Sequence, residues 1–160
     1  MPDGSMTERL ATSRLSYGPY DISLVFAARE CAVRNALQSV RSTLRALSIG
    51  DIAIGTVEIV LAEAANNIVE HAYADTGLGT ISLNCQRLEG LLLFELVDQG
   101  KPLPKGVLPE KQHHDLSAEL NDLPEGGFGW GLIRDMTTSL VYRRDQGRNI
   151  LRFSLPSESD

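Results

Sequence analysis

The stretch Leu61-Ala62-Glu63-Ala64-Ala65-Asn66-Asn67-Ile68-Val69-Glu70-His71-Ala72-Tyr73 decides the fold. Read as a helix, it sets Glu63, Asn67 and His71 four residues apart on one rising face. Val57, Leu61, Ala64 and Ile68 fill the neighbouring apolar stripe, which seats the helix against a core. A carboxylate, an amide oxygen and an imidazole on one line suit a small hydrated cation and the phosphates that travel with it. A solvated polar face with one histidine near its end would use the same residues. The segments on either side have to choose between these readings.

Working upstream, Gly50-Asp51 separates this helix, predicted over Ile52 to Tyr73, from an earlier one over Ala28 to Leu47, and Asp51 offers an N-cap. In the earlier helix Val33, Leu37, Val40, Leu44 and Leu47 step by threes and fours, with Arg29, Arg34, Arg41 and Arg45 opposite. Those arginines read as a solvated face, although they could also meet an acidic partner. Ile22 to Phe26 is apolar and β-branched, a predicted strand. Residues 1–18 read as a tail with a short edge strand around Arg14 to Tyr17, and 19–156 as a single domain.

Downstream, Thr80 to Arg87 and Leu91 to Val97 read as strands about a turn at Glu89-Gly90. The second is apolar almost throughout, as a central strand buried on both faces would be. It ends at Asp98-Gln99-Gly100-Lys101-Pro102. Leu103 to Glu125 carries three prolines and His113-His114-Asp115, and reads as a long surface loop or lid with a short helix near Leu116 to Leu120. Adjacent histidines do not share a face, so His113 and His114 are not assigned to a metal. Gly126-Gly127-Phe128-Gly129-Trp130-Gly131 follows, a glycine-rich turn opening a helix, which is a ready anion site because bare backbone N–H groups and the helix dipole face the ligand. Two closing strands, Ser139 to Arg144 and Asn149 to Leu155, turn at Asp145-Gln146-Gly147. Asp98, at the end of a buried strand with Gly100 behind it, can accept a hydrogen bond from an exocyclic amine while the backbone passes close to a flat ring.

The composition sets bounds on this. A chain of 160 residues with 42% apolar and 22% charged content is long enough to bury a real core. A formal charge of −6 argues against direct nucleic-acid binding, which needs a basic surface. Cys31 and Cys85 read as buried free thiols in a reducing compartment. No run reads as membrane-spanning and no leader is evident at the N-terminus, so a cytoplasmic protein without membrane attachment is expected.

Taken in order, a helix bearing Glu63 and Asn67, then Asp98-x-Gly100-x-Pro102, a lid, and Gly127-x-Gly129-x-Gly131 is the layout of the GHKL (Bergerat) ATP-binding fold. The chain closely resembles the bacterial anti-sigma-factor serine/threonine kinases. Glu63 to Tyr73 is similar to their N-box, Asp98 to Pro102 to their G1 box, and Glu125 to Ile133 to their G2 box. The likeness runs from about Ile22 to Leu155.

The resemblance implies a two-layer α/β sandwich: a mixed, mostly antiparallel sheet with helices on one face and ATP between the Glu63 helix and the Gly127 turn. It implies Asn67 as ligand of Mg²⁺ bridging the ATP phosphates and Glu63 as the base that takes a proton from a substrate hydroxyl. Asp98 would bind the adenine amine, Gly100 would admit the ring, and Gly127, Gly129 and Gly131 would cradle phosphate. His71 would reach phosphate or pack. The partners implied are a sigma factor and a small STAS-type antagonist that the kinase phosphorylates, and a homodimer is compatible. An ATP-binding partner switch without kinase activity is the alternative function. A third is the ATP-binding module of a sensor kinase, against which stand Glu70, where such kinases often carry a basic residue, and the lack of an upstream helical segment with a phospho-acceptor histidine. Trp130 and Gly131 depart from the usual G2 pattern.

Overall fold

A computed structural model describes residues 20–109 and 127–158, with the backbone alone described at 127 and 128. The predicted edge strand at Arg14 to Tyr17, the short helix at Leu116 to Leu120, His113-His114 and most of the lid lie outside the described residues. The elements run β1 (Ile22–Ala27), α1 (Glu30–Ala46), α2 (Asp51–Asn67), a π-helical turn (Ile68–Ala72), β2 (Thr80–Leu88), β3 (Leu91–Asp98), a 3₁₀ turn (Pro104–Gly106), α3 (Gly127–Met136), β4 (Ser139–Asp145) and β5 (Arg148–Pro156).

The five strands form one sheet in the order β1-β2-β3-β5-β4. All four pairings are antiparallel, so the mixed sheet expected from sequence is corrected to an antiparallel one among the described residues. The hairpins β2–β3 and β4–β5 explain why: each joins consecutive strands across a tight turn, at Gly90 (φ 70°) and at Gln146-Gly147 (φ 50° and 76°). β3 lies at the centre, and its burial on both faces follows from its nearly continuous apolar run.

One face of the sheet carries Ile22, Ile81, Leu83, Cys85, Leu92, Phe94, Leu96, Leu151, Phe153 and Leu155 into a single core with the helices. The stripe of Val57, Leu61, Ala64 and Ile68 is buried there as its spacing predicts, together with Val33, Val40 and Leu44 of α1. Phe94 and Phe153, on neighbouring strands, stack with ring centroids 5.4 Å apart at the centre. On the other face Glu95 and Arg152 are cross-strand partners joined by a buried ion pair of 2.7 Å.

Three local expectations change. Asp51 is not the cap: Gly50 holds that position, with no side-chain cap bond, and Asp51 opens the first turn, where its charge suits the helix dipole. Cys85 is buried, its thiol pKa pushed upward by desolvation, but Cys31 is exposed. The helix over Asp51–Ala72 is long and apolar enough, at a mean hydropathy of 1.5, to meet the length and composition of a membrane span, contrary to the sequence reading. Half of that stretch is buried inside the protein, against α1, α3 and the sheet, so its apolarity is accounted for by the core.

The arginines of α1 find partners within the chain. Arg41 makes a two-pronged bond to Glu58 of α2, Arg34 pairs with Glu30, and Arg45 lies 3.7 Å from Asp51. The solvated-face reading suits these exposed pairs.

Phe153→Ala would remove half of the central aromatic pair from a site that cannot collapse between two paired strands. We expect a loss of about 3–5 kcal/mol, read as a lower urea midpoint at unchanged slope. A midpoint within error of wild type would show that the core does not centre there.

Candidate nucleotide site

The site forms where the end of β3 meets the end of α2. After Asn67 the helix widens into a π-turn, in which the Tyr73 N–H donates to Ile68 O at 3.0 Å, an i to i+5 bond. Its last carbonyl, Ala72 O, accepts the N–H of Lys101 at 2.8 Å. A Cβ on Gly100 would stand 2.4 Å from that same oxygen, so glycine is required there by the backbone of the helix end. This gives Gly100 a packing reason beside the ring-admitting role expected for it: a side chain there would meet Ala72.

Between these elements opens a small cleft of about 60 Å³. Its apolar walls include Ala64, Ile68, Leu103, Trp130 and Leu151, and its polar lining includes Asn67, His71, Asp98 and Lys101. Trp130 is 9% exposed and belongs to the core while lining the cleft, so it anchors α3 and forms a wall at once.

Asp98 is only 4% exposed. Its Oδ1 accepts the Gly100 N–H at 2.9 Å and the Asn149 amide at 2.8 Å. Among the described residues no donor reaches Oδ2. Burial raises the Asp98 pKa above the ordinary carboxylate value, with Asn149, the Gly100 N–H and Arg144 pulling the other way. Asn149 is its cross-strand partner in the β3–β5 register. Asn149 was missed from sequence because it reads only as the first residue of the closing strand; the register alone sets it opposite Asp98.

Glu63 and Asn67 remain together, one helical turn apart, and the first turn of α3 lies over them. A Cβ on Gly129 would be 2.9 Å from Glu63 Oε2 and 3.5 Å from Asn67 Nδ2, which explains a glycine at that point. Among the described residues Asn67 Nδ2 is buried with no hydrogen-bond partner, a cost that a polar ligand would relieve. His71 lines the cleft with Asn67 but is exposed, and its Nε2 lies 3.9 Å from Glu70.

The glycine-rich run is itself helical. Gly127 is the first residue of α3, where sequence suggested a turn before the helix. Only the first four N–H groups of a helix lack internal partners, so Gly127 and Gly129 fall within the anion-attracting end and Gly131 falls beyond it. Nothing lies within 4 Å of a Cβ built on Gly131, so packing does not demand glycine there.

Residues 26–155 match the family described as the histidine kinase-like ATPase domain. The chain belongs to that family. Over 95 residues it is 34% identical to the serine-protein kinase RsbW of Halalkalibacterium halodurans, covering 59% of this chain and 57% of that protein. The chain thus spans little more than half the length of this curated relative. The crystal structure of the RsbU and RsbW domains of a Mycobacterium tuberculosis protein superposes with a TM-score of 0.59 at 15% identity, over 84% of this chain and 32% of that one. This likeness shows the fold. The family is the one implied by the order of the three boxes.

The donor set suits such a ligand. An apolar slot ending in an acceptor carboxylate can take a flat base that presents an amino group, and an orphaned amide beneath a helix N-terminus can take anionic oxygens. Among the described residues no three His, Cys, Asp or Glu gather at metal-ligand spacing. A hydrated Mg²⁺ needs no such cage, because it uses one or two protein oxygens plus substrate phosphates, and the amide oxygen of Asn67 fits that need.

The raised pKa of Asp98 gives a signed expectation. Because the folded state favours the protonated form, the ionised carboxylate carries a stability cost that is full above its folded pKa, shrinks as pH falls below that value, and is gone below the lower unfolded pKa. Asp98→Asn should therefore show a urea midpoint no lower than wild type at pH 7, with any advantage shrinking on acidification. A variant clearly less stable than wild type at pH 7 would contradict this.

Proposed function

We propose that this protein is an ATP- and Mg²⁺-dependent serine/threonine protein kinase that sequesters a sigma factor and phosphorylates a STAS-type antagonist in a cytoplasmic partner-switching pathway. One observation carries the reading: buried Asp98, with Oδ1 tied and no donor at Oδ2 among the described residues, lines an apolar cleft that Asn67 also lines, and Glu63 stands one helical turn from Asn67 beside Gly129 of α3. Family membership and the similarity to RsbW support the same reading.

In this mechanism Asp98 Oδ2 accepts the hydrogen of the adenine amino group, with the base lying between Ile68 and Leu103. Asn67 turns its amide oxygen to Mg²⁺ and its Nδ2 to a polar group of the nucleotide. The N–H groups at Gly127 and Gly129 draw phosphate oxygens to the N-terminus of α3. Bound Mg²⁺ supplies charge neutralisation across the phosphates. Glu63, one turn from Asn67, orients the substrate hydroxyl and takes its proton. Positioning and fixed charge do most of the work, as phosphoryl transfer requires.

A second reading, ATP-gated partner switching without turnover, draws support from the α3 backbone at Gly129 passing beside Glu63, the carboxylate a substrate hydroxyl must reach.

The two jobs on one helical face can be separated. Asn67→Ala is expected to lose both ATP affinity and turnover. Glu63→Gln should keep ATP affinity and lose about 10²–10⁴-fold in single-turnover transfer to the antagonist. Asp98→Asn should weaken ATP binding by about 1.5–3 kcal/mol. Wild-type transfer rates in Glu63→Gln would remove Glu63 as the base. ATP binding without transfer from the wild type, in the presence of its antagonist, would select the second reading.

A further inference from the structure

Asn149 is held from both sides in a way that leaves its amide one orientation. On its oxygen side, Arg144 donates from Nη1 to Oδ1 at 2.9 Å, and the Tyr142 hydroxyl lies 2.7 Å from the same atom. Arg144 can only donate. Tyr142 accepts the N–H of Leu103 at 3.1 Å, so its own proton is free to go to Asn149. On the nitrogen side stand Gly100 O at 3.2 Å, Lys101 O at 2.9 Å and Asp98 Oδ1 at 2.8 Å, all acceptors. Donors alone face the oxygen and acceptors alone face the nitrogen. A flipped amide would oppose like groups at every contact.

The consequence falls on Asp98. With Oδ1 taken by the Asn149 amide and the Gly100 N–H, the carboxylate cannot rotate without breaking two bonds. It offers the cleft one oxygen, and that oxygen can only accept. Tyr142 extends the chain to Leu103, which lines the same cleft at the root of the segment after Pro102.

We propose that Asn149, locked by Tyr142 and Arg144, is a specificity-determining positioning residue. By holding the ionised Asp98 carboxylate in place, so that it cannot turn away from the base, it makes the site select a purine with a 6-amino group over one with a 6-oxo group. A 6-amino group donates to the open oxygen, whereas a 6-oxo group places acceptor against acceptor. The inference rests on the nucleotide site proposed above and deepens it.

The test compares ATP with inosine triphosphate, which differs from ATP at that position by an oxo group. Binding of both is measured by calorimetry on the full chain, for wild type, Asn149→Leu and Tyr142→Phe, with thermal melts alongside. Wild type should prefer ATP by at least about tenfold, the scale of one hydrogen bond to a charged group. Asn149→Leu should bring the ratio close to one, and Tyr142→Phe should reduce it several-fold with melting close to wild type. A merely structural Asn149 would change the melt or both affinities together and leave the ratio alone. That result overturns the inference. If Asn149→Leu fails to fold, Tyr142→Phe decides alone: an unchanged ratio overturns the inference and a lowered one supports it. Absence of ATP binding in wild type would remove the nucleotide site itself, and this inference with it. ATP selectivity that survives in both variants would remove only the role of Asn149.

Discussion

The structure depends on the approach of one loop to one carbonyl. The backbone at Gly100 passes so close to Ala72 O that no side chain fits, and the neighbouring Lys101 N–H bonds to that oxygen. This contact joins the end of the central strand to the end of the polar helix. Tyr73 adds a strut beside it: its hydroxyl accepts the Gln99 N–H at 2.8 Å and donates to Thr80 O at 2.9 Å. The cleft is lined from both of the elements joined there, and from α3, β4 and β5 as well. A side chain at Gly100 would have to part them.

The π-turn makes the junction possible. Widening the helix by a residue exposes the Ala72 carbonyl to a partner outside the helix, and the chain then leaves through Ala74 and Asp75 with positive φ of 49° and 56°. Such widened turns are found mostly at functional sites, and non-glycine residues in left-handed conformation carry a cost that packing must offset. Here the return is geometric: the helix end becomes a wall of the cleft while Glu63 and Asn67, one and two turns earlier, keep ordinary α-helical spacing.

Electrostatically the cleft is graded. Asp98 is buried among apolar neighbours and held by neutral donors, with Arg144 reaching Asn149 and Gly100 O from the outer strand β4. The other end is wetter, with His71 exposed. A ligand with a flat, hydrogen-bonding head and an anionic tail matches both ends at once. Because Asp98 and Asn149 are opposed across β3 and β5, the head-group end is part of the sheet and inherits its rigidity.

Sequence alone determined much. Period-four spacing put Glu63 and Asn67 on one face and Val57, Leu61, Ala64 and Ile68 in the core, because helical geometry is local. The apolar run of β3 announced a central strand, and the order of the three boxes announced the family. The tertiary structure decided the rest, and in each case through a contact distant in the chain. Gly100 is glycine because of Ala72, and Gly129 sits against Glu63, contacts that no local pattern encodes. Asn149 read only as the start of a strand until the register placed it against Asp98, 51 positions away. His71 lines the cleft with Asn67, but the helix changes its hydrogen-bond period at Ile68, which local spacing did not show. Local spacing is written in the chain; which backbone meets which is settled only when the sheet and helices close on a common core.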